Sequence, residues 1–272
     1  MKSAFDRYDG AIESNTHVPR LYNIINDTDQ QFWRQNLDKF PDGYRQHATL
    51  VEMDRILPLP KVTRKALITQ FYPNQGLPIG PQTVQNILGA IENKHCLVRT
   101  YLGRENGVIA KEKFSLRNFP LYLESMERLG LDVASLAGSM GKAFALMHWG
   151  AGVNGDDVEF VLGTSTVLGL GDDDFDLQHR AVGFYLLDFG QCDLVDLSQA
   201  PEDVYQAFKG AMVTGDNQLF IPHYRKSPAI FAVFKEAYTK AGQFILKEKK
   251  LDMKFKMEDF MREYEEYAED FL

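Results

Sequence analysis

Cysteine is scarce in this 272-residue sequence, which contains only Cys96 and Cys192. Two cysteines cannot form a disulfide framework, and together with six scattered histidines they show no zinc-ligand spacing. We therefore expect no structural disulfide, no metal site and a reducing compartment.

Long apolar runs and basic clusters are also missing. No apolar stretch approaches the roughly 18 residues of a membrane span, and the first residues lack the apolar core of a signal peptide. The net charge is −8, with Lys and Arg numbering 30 against 38 Asp and Glu. This acidic balance argues against binding to nucleic acid or to anionic membranes. We expect a cytoplasmic protein with no membrane span.

Apolar periodicity predicts several helices and strands in a chain whose size suits one large domain or two small lobes. The predicted helices are 81–91, 131–149, 201–212, 228–246 and 257–272, and the predicted strands are 67–72, 96–102, 158–162 and 182–187. An insertion at 164–180 is rich in Gly and Asp, and its centre is predicted to be a mobile surface loop.

The triplet Asp188-Phe189-Gly190 directly follows the predicted strand 182–187. Upstream lie a predicted helix ending at Trp149, a polar loop and a second short strand. Helix, loop, strand, and then a strand ending in Asp-Phe-Gly is the order of elements in the active-site half of kinase-like phosphotransferases. The sequence therefore predicts a kinase-like cleft.

The residues that handle phosphate in such a cleft are largely missing. Alignment of the strand at Glu159 puts Glu159 in the slot of the metal-binding Asn and Asn154 in the slot of the catalytic Asp. Asn cannot act as a general base at neutral pH, although Asp156 or Asp157 would supply one if the loop is realigned. No G-x-G-x-x-G precedes the strand at 67–72. We therefore predict no productive ATP binding.

Several sequence blocks resemble a fungal domain family of unknown function whose members are often labelled zinc finger proteins. This family is distantly similar to protein kinases and aminoglycoside phosphotransferases. The blocks are RILPLP at 55–60, CLVRTYLG at 96–103, FSLRNFPL at 114–121, ALMHW at 145–149, DVEFVLG at 157–163, LDF at 187–189 and DNQLFIPH at 216–223. Some resembling members are encoded near secondary-metabolite pathways.

The resemblance implies an α+β protein with a degenerate, two-lobed kinase-like fold. Residues 1–109 would form a reduced N-terminal lobe, and residues 110–272 would form a mostly helical C-terminal lobe. A cleft stripped of phosphate-handling groups has the general form of a small-molecule site.

Three functions follow from this picture. In the first, the cleft binds an apolar, polyketide- or terpene-like molecule and acts as a cofactor-independent biosynthetic cyclase, of the cycloaddition (Diels-Alderase) type. The alternative is a non-catalytic pseudokinase scaffold for a protein partner, and the third is a residual small-molecule phosphotransferase. No cofactor is expected in the first two.

Eight residues are candidates for the site. The predicted catalytic residues are Asp188, Glu159, His148 and Arg117, and the predicted ligand contacts are Asn118, Trp149, Asn154 and Tyr185. Three of them have a structural alternative: Asp188 would cap its turn, His148 would bond the end of its helix, and Trp149 would lie in the core. We expect Arg117 to pair with Glu159 or Asp188, because neighbouring carboxylates need a cation.

Overall fold

The computed structural model describes residues 1–74, 76–168 and 178–271. Helices make up 50% and strands 14% of the chain, which confirms the predicted α+β class. The kinase-like assignment within that class stays a prediction. The chain divides into two compact units: unit 1 comprises Met1, Ser3–Val18 and Ile56–Leu272, and unit 2 comprises Lys2 and Pro19–Arg55.

The elements follow one another along the chain as a mixture of short strands and longer helices. The strands are β1 (Thr16–His17), β2 (Leu21–Ile25), β3 (Leu50–Met53), β4 (Val98–Tyr101), β5 (Phe119–Tyr122), β6 (Glu159–Leu168) and β7 (Gln178–Leu187). The helices are α1 (Lys2–Ile12), α2 (Gln30–Asn36), α3 (Lys61–Phe71), α4 (Pro81–Gly89), α5 (Leu123–Arg128), α6 (Val133–Ala145), α7 (Pro201–Val213), α8 (Asn217–Phe220), α9 (Pro228–Glu248) and α10 (Met257–Phe271).

Unit 1 contains a mixed five-stranded sheet in the order β1-β7-β6-β4-β5. β6 pairs antiparallel with both β4 and β7, whereas β1 and β5 run parallel to their neighbours β7 and β4. Successive side chains of a strand point to opposite faces. One face carries Val98, Thr100, Phe160 and Leu186, which are all buried. Phe160 contacts Phe144 of α6, so this face packs on the helices.

The helices of unit 1 begin and end at residues suited to those positions. Proline occupies the first turn of α4, α7 and α9, where its missing N–H costs no hydrogen bond. The Asp132 side chain accepts a hydrogen bond from the Ser135 N–H at the start of α6. A π-helix, Leu146–Ala151, continues α6 and ends at Gly152 in the left-handed conformation (φ 67°).

Unit 2 contains α2, two short 3₁₀ turns and an antiparallel β2–β3 ribbon. Its Trp33 is buried and stacks on the ring of His47. Four apolar side chains of the ribbon are exposed by about half: Leu21, Ile24, Val51 and Met53.

Most predicted elements match observed ones, with one clear error. The predicted strand 67–72 is wrong: residues 67–71 belong to helix α3, which begins after Pro60, and Tyr72 is its C-cap. The predicted lobe boundary at 109/110 falls inside unit 1. The predicted surface loop at 169–176 lies outside the described residues.

Candidate functional site

An ionic cluster centred on Arg99 lies on the second face of the sheet. The Arg99 guanidinium is paired with the Glu159 carboxylate, and its Nε is 3.1 Å from Glu159 Oε2. Arg99 Nη1 is 3.3 Å from Asp216 Oδ2 and donates a hydrogen bond to the Tyr101 hydroxyl at 3.2 Å. The Arg99 and Glu159 side chains are only 20% and 13% exposed, so this pair is largely removed from water.

The strand register brings these groups to one face. Arg99 lies opposite Val161, and Val161 lies opposite Tyr185. Residues two apart on a strand share a face, so Tyr101 and Glu159 point to the same side as Arg99. The Tyr185 ring lies over Gly183, where an added Cβ would be 2.9 Å from the ring. Glycine at that position leaves room for the ring to lie along the sheet.

Burial, as the largest effect, raises the pKa of the Glu159 carboxyl above its usual range. Arg99 opposes this shift, whereas the carboxylates of Asp188 and Asp216 reinforce it. Asp188 is therefore an electrostatic neighbour of Glu159. Arg99 pairs with Glu159 and Asp216, and Asp188 acts on Glu159, so the acidic side chains of the cluster outnumber its one guanidinium.

Asp188 directly follows β7 and turns the chain with a left-handed backbone (φ 63°). Aspartate tolerates this conformation better than most residues. The residue is exposed. Asp188 is thus a predicted site residue whose carboxylate is exposed to solvent and lies near Glu159 of the Arg99 cluster.

Asn154 is committed to the fold of the loop between the π-helix and β6. Its Oδ1 accepts hydrogen bonds from the N–H groups of Asp193, at 2.8 Å, and Asp156, at 3.2 Å. Its backbone N–H donates to the Asp193 carbonyl. These bonds tie the loop to the chain that follows Asp188-Phe189-Gly190.

Asp156 and Asp157, the candidates for a replacement base, are also engaged. Asp156 Oδ1 accepts from the Thr214 hydroxyl at 3.0 Å, and Asp157 Oδ1 accepts from the Asp216 N–H at 3.1 Å. Both carboxylates therefore hold the α7–α8 connection against this loop.

His148 lies in the helical core, with both ring nitrogens bonded to protein. Its Nε2 is 3.0 Å from the Asn154 carbonyl oxygen, which can only accept, so Nε2 carries the proton. The Tyr238 hydroxyl accepts from Trp149 Nε1 and donates to His148 Nδ1, each at 2.8 Å. Burial lowers the pKa of His148 to about 3. The predicted catalytic role is not supported, because the neutral ring has no nitrogen free for a ligand.

Trp149, predicted as a cleft wall, is fully buried beside His148. Its ring packs edge-on against Phe208 and Phe260, and its N–H is bonded to Tyr238. The prediction of a ligand contact is therefore wrong, and the structural alternative describes this residue.

Arg117 and Asn118 lie in the exposed turn before β5, where Asn118 has a left-handed backbone (φ 50°). The predicted pairing of Arg117 is wrong: Glu159 pairs with Arg99, and Arg117 makes no ion pair with any residue that the structure describes. A contact between this turn and a ligand stays a prediction.

Arg99 and Tyr101 are the cluster residues that sequence reasoning missed. Both lie in the correctly predicted strand Cys96–Leu102. Arg99 is the one charged residue in this apolar strand. A charge at such a position needs an opposite charge on a neighbouring strand, and this is the signal that could have identified the cluster.

Two cavities lie elsewhere in the described structure. One, of about 410 Å³, lies at the start of α9, and the other, of about 490 Å³, lies beside Trp33 in unit 2. Neither is lined by any of the predicted site residues.

The described residues contain no group of three or more His, Cys, Asp or Glu side chains arranged to hold a metal ion. No helix in the described part of the chain has the length and apolar character needed to cross a bilayer. No family model, curated protein or solved structure matches the chain. The resemblance to a fungal kinase-like family therefore rests on the sequence blocks alone.

Proposed function

We propose that the chain binds a small organic molecule beside the Arg99 cluster, in a degenerate kinase-like cleft, and acts on it without transferring phosphate. The observation that carries this proposal is the pairing of Glu159 with Arg99 next to the exposed carboxylate of Asp188. Polar groups thus remain at the position where a kinase-like site binds metal and phosphate. Here they are an ion pair and an exposed carboxylate, which suit hydrogen bonding to an organic ligand.

Phosphate transfer fits this arrangement poorly. A metal ion at Glu159 would have to displace the guanidinium of Arg99, and Asn154 offers no base. Asp156 and Asp157 already accept hydrogen bonds from the α7–α8 connection. Residual phosphotransferase activity is thus the weakest of the three functions.

The available groups suit a reaction that needs orientation and hydrogen bonding. The Tyr101 hydroxyl accepts from Arg99 and keeps its own proton to donate, and the guanidinium has five N–H groups, so both can stabilise a substrate carbonyl as it gains negative charge. Asp188 can accept a hydrogen bond from the same substrate. Binding a flexible substrate in a near-attack shape accelerates cyclisation without a cofactor. We therefore propose a cofactor-independent cyclase of the cycloaddition type, with Arg99 and Tyr101 as donors.

A binding scaffold is the second candidate, and a separate observation favours it. The β2–β3 ribbon of unit 2 exposes Leu21 by 50%, Ile24 by 52%, Val51 by 57% and Met53 by 44%. Contiguous exposed apolar side chains are typical of surfaces that bind other proteins.

Affinity selection of an organic metabolite library, read by mass spectrometry, tests the first proposal. We expect the wild-type chain and Lys240→Ala, which changes an exposed lysine of α9, to retain the same compounds. Asp188→Asn should retain them at least about tenfold more weakly, as expected for the loss of a charge-assisted hydrogen bond. Equal retention by Asp188→Asn would place the binding site elsewhere. If no compound is retained by the folded wild-type chain, the scaffold becomes the better account.

A further inference from the structure

The segment Thr214–Asn217, which we call the clasp, runs from the end of α7 to the first residue of α8 and is hydrogen-bonded to the loop before β6. The Thr214 hydroxyl donates to Asp156 Oδ1, and the Asp216 N–H donates to Asp157 Oδ1. The Asn217 side-chain amide donates to the Gly155 carbonyl at 2.7 Å and to the Ala211 carbonyl at 2.9 Å. The loop Gly155–Asp157 is therefore bonded to the clasp at each of its residues.

The clasp also reaches the sheet through Asp216. Its carboxylate is 3.3 Å from Arg99 Nη1, and Arg99 in turn pairs with Glu159. The clasp thus gives Arg99 a second carboxylate partner beside Glu159, whose side chain is only 13% exposed.

The fit between clasp and loop depends on two left-handed residues. Gly215 has a φ of 54°, and Asp157 has a φ of 53°. A Cβ added at Gly215 would be 2.7 Å from Asp157 Oδ1. A side chain at 215 would therefore push the clasp away from the loop. The left-handed backbone of Asp157 costs conformational energy that the closed contacts must offset.

The two ends of the clasp differ in burial. Asn217 is fully buried, whereas Thr214 and Gly215 are exposed and the Asp216 side chain is 38% exposed. Hydrogen bonds at exposed positions have small net strength, because water replaces them when they break. Segments held by such bonds open at much lower free energy than the core. Asn217 can act as the anchor while residues 214–216 release.

We propose that the clasp opens and closes over the carboxylates of Asp156, Asp157 and Glu159 and so controls access to the Arg99 cluster. Opening removes the second partner from Arg99 and uncovers the loop, while the α7 and α8 cores stay folded. The role of opening in ligand binding rests on the proposed function. The opening itself is a property of the chain without ligand.

Hydrogen–deuterium exchange on the full chain without ligand tests the proposal, with Thr214→Val and Thr214→Ser as a matched pair. Valine keeps the shape of threonine but cannot donate to Asp156, whereas serine can. We expect amide exchange of residues 155–158 and 214–216 to be about fivefold faster in Thr214→Val, the factor expected from one net hydrogen bond. Thr214→Ser should exchange like wild type. Asp216→Ala, which removes the bridge to Arg99, should show the same local increase.

Two results would overturn the clasp. One is unchanged exchange at residues 155–158 in both Thr214→Val and Asp216→Ala. The other is an equal increase throughout α7 and α9, which would show that the segment unfolds only with the core. Neither result depends on whether a metabolite binds, so failure of the clasp and failure of the proposed function are distinguishable.

Discussion

Unit 1 contains two polar networks that differ in burial and in charge. The His148–Tyr238–Trp149 network is fully buried and neutral, and its hydrogen bonds are between 2.8 and 3.0 Å. The Arg99 cluster is partly exposed and charged, with one guanidinium among several carboxylates.

This difference assigns a structural role to the neutral network and a candidate functional role to the charged cluster. In the neutral network the ring nitrogens of His148 and Trp149 and the Tyr238 hydroxyl all bond to protein groups. The network therefore fixes the π-helix against α9 and has no ring nitrogen free to bind a ligand. In the charged cluster the carboxylates outnumber the cation, and Asp188 faces solvent. Such unbalanced groups are characteristic of functional sites.

Acid should damage the neutral network most. The pKa of His148 is lowered to about 3 in the folded chain, against about 6.5 when unfolded. The unfolded chain therefore takes up a proton as pH falls below 6.5, and the folded chain does not. Stability that is fully present above pH 6.5 should fall by about 1.4 kcal/mol per pH unit down to about pH 3.

His148→Gln isolates this effect, because glutamine offers a donor and an acceptor but does not titrate. The stability difference between wild type and variant, measured by urea unfolding from pH 7 to pH 4, should shrink steadily as pH falls. Parallel curves would mean that His148 is not held neutral.

Loss of Arg99 should have the next largest effect. Arg99→Ala leaves Glu159 largely buried beside Asp188 and Asp216 without a cation, and it should cost about 2–4 kcal/mol at pH 7. The loss should become smaller as pH falls, because burial raises the pKa of Glu159 and a protonated carboxyl needs no cation. Arg117→Ala, at an exposed position, should change the free energy of unfolding by less than about 0.5 kcal/mol. The opposite ranking of the two variants in chemical unfolding would restore Arg117 as the partner.

Asp188 should matter least to stability. Asparagine keeps the shape of the side chain and tolerates a left-handed backbone, so Asp188→Asn should change the free energy of unfolding by less than about 0.5 kcal/mol. Asp188→Ala should cost about 1 kcal/mol, because a φ of 63° strains alanine. Thermal unfolding of both variants checks this. A large loss in Asp188→Asn would indicate that the carboxylate has a structural role.

The sequence was informative where one signal determined the element. Proline at the first turn and apolar spacing located α4, α7 and α9. The run at 67–72 was misassigned because a short apolar stretch fits a buried helix as well as a strand. Leu67 and Ile68 are buried side by side in α3.

The site was only partly predictable for a similar reason. Glu159 and Asp188 are predictable because Glu159 begins one strand and Asp188 follows the next, and antiparallel pairing of Glu159 with Leu187 makes them electrostatic neighbours. Which arginine compensates them depends on the strand register, which brings Arg99 across from β6. His148 was misjudged because its partner Tyr238 lies 90 residues away, a separation that no local pattern reveals.

Calorimetric titration of the full chain with Mg²⁺-ATP tests most directly the central proposal that the chain does not handle phosphate. With Glu159 paired to Arg99 and Asn154 bonded within its loop, we expect no specific heat of binding up to millimolar nucleotide. A dissociation constant in the micromolar range, about −8 kcal/mol, that is abolished in Asp188→Asn would contradict the claim.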